Sequence, residues 1–186
     1  MRRCVTREIT WHGSRIAKRE AHPMPLTRAN ATDGPSMEAP GLSIHEDVPV
    51  AADALWAVLK DFGGLVAWNP FVAGCETYCK GGQLFRIVET SEGVRIWERA
   101  DVLDSRRRKL VYTIVSSDPV RPFLGRVATI LIDRISDTEA RITWSAQQPG
   151  INFAPEQADA LCAGFRARIN ALVSAAAQGR LAWTWD

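Results

Sequence analysis

Between residues 72 and 147 the chain runs through six short strand-like segments with no helical pattern between them. They fall near 72–79, 84–90, 94–103, 109–116, 124–133 and 139–147, separated by the turn signals Lys80-Gly81-Gly82, Ser91-Glu92-Gly93, Asp104-Ser105, Asp118-Pro119 and Ser136-Asp137. Parallel neighbours need crossovers of a dozen or more residues, and these connections are too short. Successive strands must therefore pair antiparallel. A weakly alternating strand over 42–48 precedes them, followed by two short helices. The first runs from Ala51 to Lys60, and the second from Phe62 to Trp68, interrupted by Gly63-Gly64 and closed by Asn69-Pro70. After the strands, Pro155 suits a first helical turn. A long helix over 156–178 then ends at Gly179. Leu161, Phe165, Ile169, Leu172 and Ala176 form its apolar stripe. An antiparallel sheet with one apolar face must cover that face, and the long helix has the stripe to do so. The expected class is α+β: a seven-stranded curved antiparallel sheet wrapped around a long C-terminal helix.

A chain of 186 residues, 46% hydrophobic and 24% charged, holds one domain with its own core. Charge divides unevenly along it. Residues 1–41 carry 7 Lys/Arg and 4 Asp/Glu, while 42–186 carry the other 16 and 17. The expected organisation is a basic, disordered N-terminal tail over 1–41, a domain over 42–179 and a short C-terminal tail over 180–186. A net charge of +2 gives no electrostatic case for nucleic acid. No run reaches the ~20 apolar residues of a membrane span. Cys4, Cys75, Cys79 and Cys162 show no zinc-ligand spacing. Cys75 and Cys79 on one strand would lie about 13 Å apart, beyond the ~7 Å limit for a disulfide. Reduced thiols and a cytoplasmic location are the expectation, with no metal and no cofactor. Oligomeric state is left open.

Register arithmetic places side chains. Ser91-Glu92-Gly93 reads as a three-residue hairpin loop with Gly93 in the left-handed position. Val88 then faces Ile96, and Arg86 faces Glu98. One face carries Arg86, Val88, Thr90, Val94, Ile96, Glu98, Ala100 and Val102, and is apolar but for Thr90 and one opposed Arg/Glu pair. The other carries Phe85, Ile87, Glu89, Arg95, Trp97, Arg99 and Asp101, and is solvated. A loop at 104–106 sets Glu98 opposite Tyr112 and Ala100 opposite Leu110, adding Leu110, Tyr112, Ile114 and Ser116 inside. A two-residue turn at Ser136-Asp137 sets Trp144 opposite Thr129, with Val127, Thr129, Leu131, Ile142, Trp144 and Ala146 inside. Burying an ion pair is no free gain, since desolvation can exceed attraction. Arg86, Glu98 and Tyr112 are therefore either a ligand anchor or a satisfied structural pair.

The chain resembles the START/Bet v 1-like (SRPBCC) superfamily, and within it the bacterial polyketide cyclase/dehydratase-like group. The resemblance covers about 42–175. It rests on Ala54-Leu55-Trp56-Ala57-Val58-Leu59-Lys60-Asp61-Phe62-Gly63-Gly64, Trp68-Asn69-Pro70, Arg86, Gly93 and Glu98-Arg99. Asp104 through Tyr112, Trp144, Phe165, Ile169 and Leu172 complete it. It implies a helix-grip fold with a cavity for a small, mostly apolar ligand. Positions matching Glu98 and Tyr112 line that cavity in relatives, and those matching Asn69 and Phe71 guard its inner end. The expected ligand-binding set is Asn69, Phe71, Arg86, Val88, Ile96, Glu98, Tyr112, Ile114, Trp144, Phe165 and Ile169. The sequence departs from the pattern at Gly82 to Arg86, which is stretched, at Arg168, where relatives often carry Gly, in the short 91–93 loop, and in the Trp183 and Trp185 ending.

Nucleophilic catalysis needs a base near neutral pKa, and the domain's one histidine, His45, sits beside Glu46 and Asp47 on a surface strand. The run Arg106-Arg107-Arg108-Lys109 at a hairpin tip reads as a solvated charge cluster, with no aromatic platform for nucleic acid. Three functions stay open. The first is non-catalytic binding of a small hydrophobic molecule. The second is a cyclase or dehydratase that folds a polyketide-like substrate, with Glu98 as acid/base; Arg86 opposite would make Glu98 a poor base. The third is an oligomerising module using Trp97 and the Trp183–Trp185 tail.

Overall fold

A computed structural model of the protein describes residues 41–179. The sheet comprises β1 (Leu42–Val48), β2 (Val72–Lys80), β3 (Gln83–Thr90), β4 (Arg95–Asp104), β5 (Lys109–Asp118), β6 (Val127–Arg134) and β7 (Ala140–Gln147). Its order is β1-β7-β6-β5-β4-β3-β2, and every neighbouring pair is antiparallel. Helix α1 (Ala52–Leu59) and a single 3-10 turn (Gly64–Ala67) lie between β1 and β2, so the second expected helix is shorter than its pattern suggested. Helix α2 (Pro155–Ala177) follows β7. The Gln157 side-chain oxygen accepts the Ala154 N–H at 3.3 Å, satisfying one backbone donor at the start of α2. This is the helix-grip arrangement.

The core gathers Leu55, Trp56 and Leu59 of α1, Ile130, Ile132 and Ile142 of the sheet, and Ile169 and Leu172 of α2. All of these are buried. The α2 stripe is filled unevenly: Phe165, Ile169, Leu172 and Ala175 are buried, and no residue before Phe165 is.

Turn chemistry decided which expected registers hold. Gly93 takes φ +79°, and the Arg86–Glu98 and Val88–Ile96 pairings follow as expected. The next hairpin differs. Its turn spans four residues, 105–108, because the Asp104 carboxylate accepts the Arg106 and Arg107 N–H groups and Arg108 adopts φ 48°. With bulges between Trp97 and Glu98 and between Ala100 and Val102, Glu98 lies opposite Ile114 and Ala100 opposite Tyr112. That shift is even, so Tyr112 keeps its face. Beyond the bulge Ser117 is buried and Ser116 exposed, the reverse of the expectation.

The β6–β7 loop spans 135–139 and is closed by the Ile135 N–H donating to Glu139 O at 3.0 Å. Trp144 therefore pairs with Ile130. A one-residue slip exchanges the faces of a strand. Ala128, Ile130 and Ile132 point inward, and not Val127, Thr129 and Leu131.

Cys75 and Cys162 are free thiols. Cys79 is disulfide-bonded, which corrects the expectation that all four cysteines are reduced. The expected tails over 1–41 (all but Gly41) and 180–186, with Trp183 and Trp185, lie outside the described residues. Among the described residues no helix is long and apolar enough to cross a membrane.

Candidate ligand cavity

The concave face of the sheet and the N-terminal half of α2 enclose a cavity of about 520 Å³. Its depth follows from the strand alternation. Arg86 and Val88 of β3, Ile96 and Glu98 of β4, Tyr112 and Ile114 of β5 and Trp144 of β7 all project inward. Asn69 and Phe71, after the 3-10 turn, and Phe165 of α2 complete the expected lining. Ile169 is the exception. It lies in the core at 1% exposure, where α2 packs against α1 and β1, and does not border the cavity.

The polar centre is built around Arg86, which is 4% exposed. Its Nε donates to Glu98 Oε2 at 2.5 Å, and its Nη1 donates to the Phe62 carbonyl at 3.0 Å. The guanidinium lies 4.0 Å from the Phe62 ring centroid and 5.0 Å from that of Tyr112. The buried cation is thus matched by a carboxylate, a carbonyl and two π faces. Glu98 Oε1 and the Tyr112 hydroxyl make no hydrogen bond among the described residues, and neither is sealed from the cavity. The same holds for the Asn69 side-chain amide N–H₂, whose oxygen accepts the Phe71 N–H at 3.1 Å. Among the described residues the indole N–H groups of Trp68 and Trp144 also lack an acceptor, but they are sealed and do not open to the cavity.

Burial, reinforced by the Glu98 charge, pushes the Tyr112 phenol up to about 12. Near neutral pH Tyr112 is a hydrogen-bond donor. An unfolded tyrosine titrates near 10. The protonated phenol therefore contributes stability in full below pH ~10 and loses it as pH rises toward ~12. Alkaline unfolding should steepen across that window in the native chain and lose that component in Tyr112→Phe. An unchanged pH profile in the variant would refute the assignment.

Three arginines of the lining were missed. Arg121, Arg126 and Arg168 line the cavity, and only Arg168 had stood out, as a departure from the pattern of relatives. Arg126 could have been found as the one charge at the head of the Arg126, Ala128, Ile130, Ile132 alternation, had the β6 face been assigned correctly. His45 is exposed on β1, and Arg106 and Arg107 are solvated as expected. Trp97 is half-buried, with the Arg95 guanidinium 5.3 Å from its ring centroid. Among the described residues no cluster of His, Cys, Asp and Glu could hold a metal.

Residues 42–178 match a family described as polyketide cyclase/dehydrase and lipid transport. The chain belongs to this family. Solved structures agree with the polyketide cyclase/dehydrase fold. A START superfamily protein from Mycobacterium smegmatis is 15% identical, with 74% of this chain and 97% of that chain covered and a TM-score of 0.60. The Zhui aromatase/cyclase from Streptomyces sp. R1128 is 18% identical over 77% and 96% of the two chains, with a TM-score of 0.60. A Bacillus thuringiensis protein is 19% identical over 74% and 99%, with a TM-score of 0.63. At these identities the likeness establishes the helix-grip fold and no activity. No curated protein matches the chain.

Proposed function

We propose that this polyketide cyclase/dehydrase family member binds a small, mostly hydrophobic molecule in the cavity between the sheet and α2. The observation that carries the reading is a cavity of about 520 Å³ whose buried lining is apolar apart from Asn69, a self-paired Arg86–Glu98 and the half-buried Tyr112. That volume lies within the range of small-molecule sites. Glu98 Oε2 is committed to Arg86, and Arg86 to the Phe62 carbonyl, so the pair is an anchor held in place by the fold. Glu98 Oε1, the Tyr112 hydroxyl and the Asn69 amide remain for the few polar groups that would orient such a ligand.

The test is a titration with N-phenyl-1-naphthylamine, an uncharged fluorophore that brightens in apolar surroundings. One saturable site is expected. Ala146, buried at 1% exposure on the cavity wall, sits opposite Leu42 and Ala128 in the sheet. Ala146→Phe fills the cavity and should weaken the probe at least tenfold, at a packing cost of about 1–3 kcal/mol. A folded Ala146→Phe variant with native affinity would place binding elsewhere.

A second reading is a cyclase or dehydratase acting on a polyketide-like substrate. It is favoured by the unbonded Glu98 Oε1 beside a protonated Tyr112, a carboxylate oxygen and a donor facing one space. Holding a flexible chain in one conformer would supply much of the acceleration. The two readings divide at Glu98→Gln. Binding predicts altered affinity with no turnover to lose. Catalysis predicts turnover abolished with affinity little changed.

A further inference from the structure

The cavity contains more positive charge than it neutralises. Arg86 has Glu98, but Arg126 and Arg168 form no ion pair among the described residues. Both are half-buried and both line the cavity. Their positions are nonetheless constructed. Gln148, 4% exposed, donates through its amide to the Pro122 and Leu124 carbonyls, and its oxygen accepts Arg126 Nε at 3.3 Å and Nη2 at 3.2 Å. The Arg126 guanidinium lies 5.4 Å from the Phe153 ring centroid and 5.7 Å from that of Phe123. Arg168 donates Nη1 to the Gly164 carbonyl one turn back at 2.9 Å and lies 4.7 Å from the Phe71 ring centroid. Every partner of these two cations is neutral.

The two arginines border the same cavity as Tyr112. The positive charges of Arg86, Arg168 and Arg126 all act on the Tyr112 phenol, opposing the effects of burial and Glu98. Two other carboxylates border the cavity, those of Asp61 and Glu92. Both are exposed, and Asp61 accepts the Gly63 N–H. Neither pairs with Arg126 or Arg168. Withdrawing a cation from water without a counter-charge is costly, and a bound anion removes that cost with charge-assisted hydrogen bonds.

We propose that the ligand is an amphipathic anion: its apolar body occupies the cavity, and one carboxylate, sulfonate or phosphate group sits between Arg126 and Arg168 beside the Tyr112 hydroxyl. This rests on the cavity being a binding site for an apolar molecule. It adds the ligand's charge and names the residues that read it.

The test uses two probes with one ring skeleton, uncharged N-phenyl-1-naphthylamine and its sulfonated counterpart 8-anilinonaphthalene-1-sulfonate, titrated into the full chain. The sulfonate should bind at least tenfold more tightly. In Arg126→Gln and in Arg168→Gln that preference should fall by about tenfold, the scale of a lost charge-assisted contact, while Arg168→Lys retains part of it. Ala146→Phe should weaken both probes, which places the sulfonate in the cavity rather than on a surface arginine. Equal affinity for both probes in the native chain would overturn the anionic ligand. So would a preference that survives both glutamine variants. Failure of both probes to saturate would overturn the underlying cavity reading instead. Displacement of the sulfonate by dodecanoate and dodecyl phosphate, with dodecanol as the uncharged control, then ranks carboxylate against phosphate. Dodecanol displacing as well as either anion would also refute the proposal.

Discussion

Replacing Glu98 with methionine is expected to lower stability by about 3–5 kcal/mol, the scale for stranding one partner of a buried ion pair. The reasoning is local. Arg86 is 4% exposed, and its Nε has one acceptor, Glu98 Oε2 at 2.5 Å. The Phe62 carbonyl and two aromatic faces stay behind in the variant, but none carries a negative charge. The double variant Arg86→Met/Glu98→Met removes both charges and should be far less destabilised than the single one. Two well-packed apolar side chains are often no worse than the pair they replace. Urea unfolding of the native chain, both single variants and the double closes a thermodynamic cycle, and the coupling term isolates the pair. A loss below about 1 kcal/mol in Glu98→Met would show that cavity water solvates the arginine, as for a surface pair. The outcome bears on function. A strongly coupled pair holds Glu98 as a fixed anchor, whereas a weakly coupled one leaves it available for proton transfer.

That pair was legible in the sequence because everything fixing it is local. Gly93 terminates a three-residue loop, and a loop of known length sets the Arg86–Glu98 register directly. The sheet order was legible for a related reason: short connections leave antiparallel neighbours as the only choice. What failed was register at two longer turns. Ser136-Asp137 suggested a two-residue turn, but the loop closes between Ile135 and Glu139. The slip of one residue turned β6 inside out and hid Arg126 among the solvent-facing positions. The turn after Asp104 was also misjudged, yet the error was even and left Tyr112 facing inward. Arg168 could be seen only as a departure from relatives, since its value depends on what α2 covers. Ile169 failed by one helical step. Its stripe was read correctly as apolar, but periodicity does not say where along α2 the cavity ends and the core begins.

That boundary carries the second large effect. Leu172→Ala should cost about 3–5 kcal/mol, the range for emptying a fully enclosed leucine site. Leu172 is 0% exposed and belongs to the contiguous core with Ile169, Leu55 and Ile142. Leu161→Ala, three turns earlier on the same helix, should cost under about 1 kcal/mol. Leu161 is only half-buried and borders the cavity, so truncation there removes little packing. It should instead weaken N-phenyl-1-naphthylamine, whose apolar wall it supplies. The physical claim is that α2 has two jobs divided along its length. From Phe165 onward it is anchored by Phe165, Ile169, Leu172 and Ala175. Before Phe165 it is a cover, with no buried side chain to hold it. A segment with few buried contacts opens at low free energy. Amide hydrogen exchange should therefore run faster over 158–164 than over 166–177, and bound probe should slow the first segment selectively. Uniform protection along α2, or a Leu161→Ala cost matching that of Leu172→Ala, would mean the helix is a rigid wall. A ligand would then have to enter between Phe71 and the Pro122–Phe123 loop, where the lining residues are exposed or half-buried.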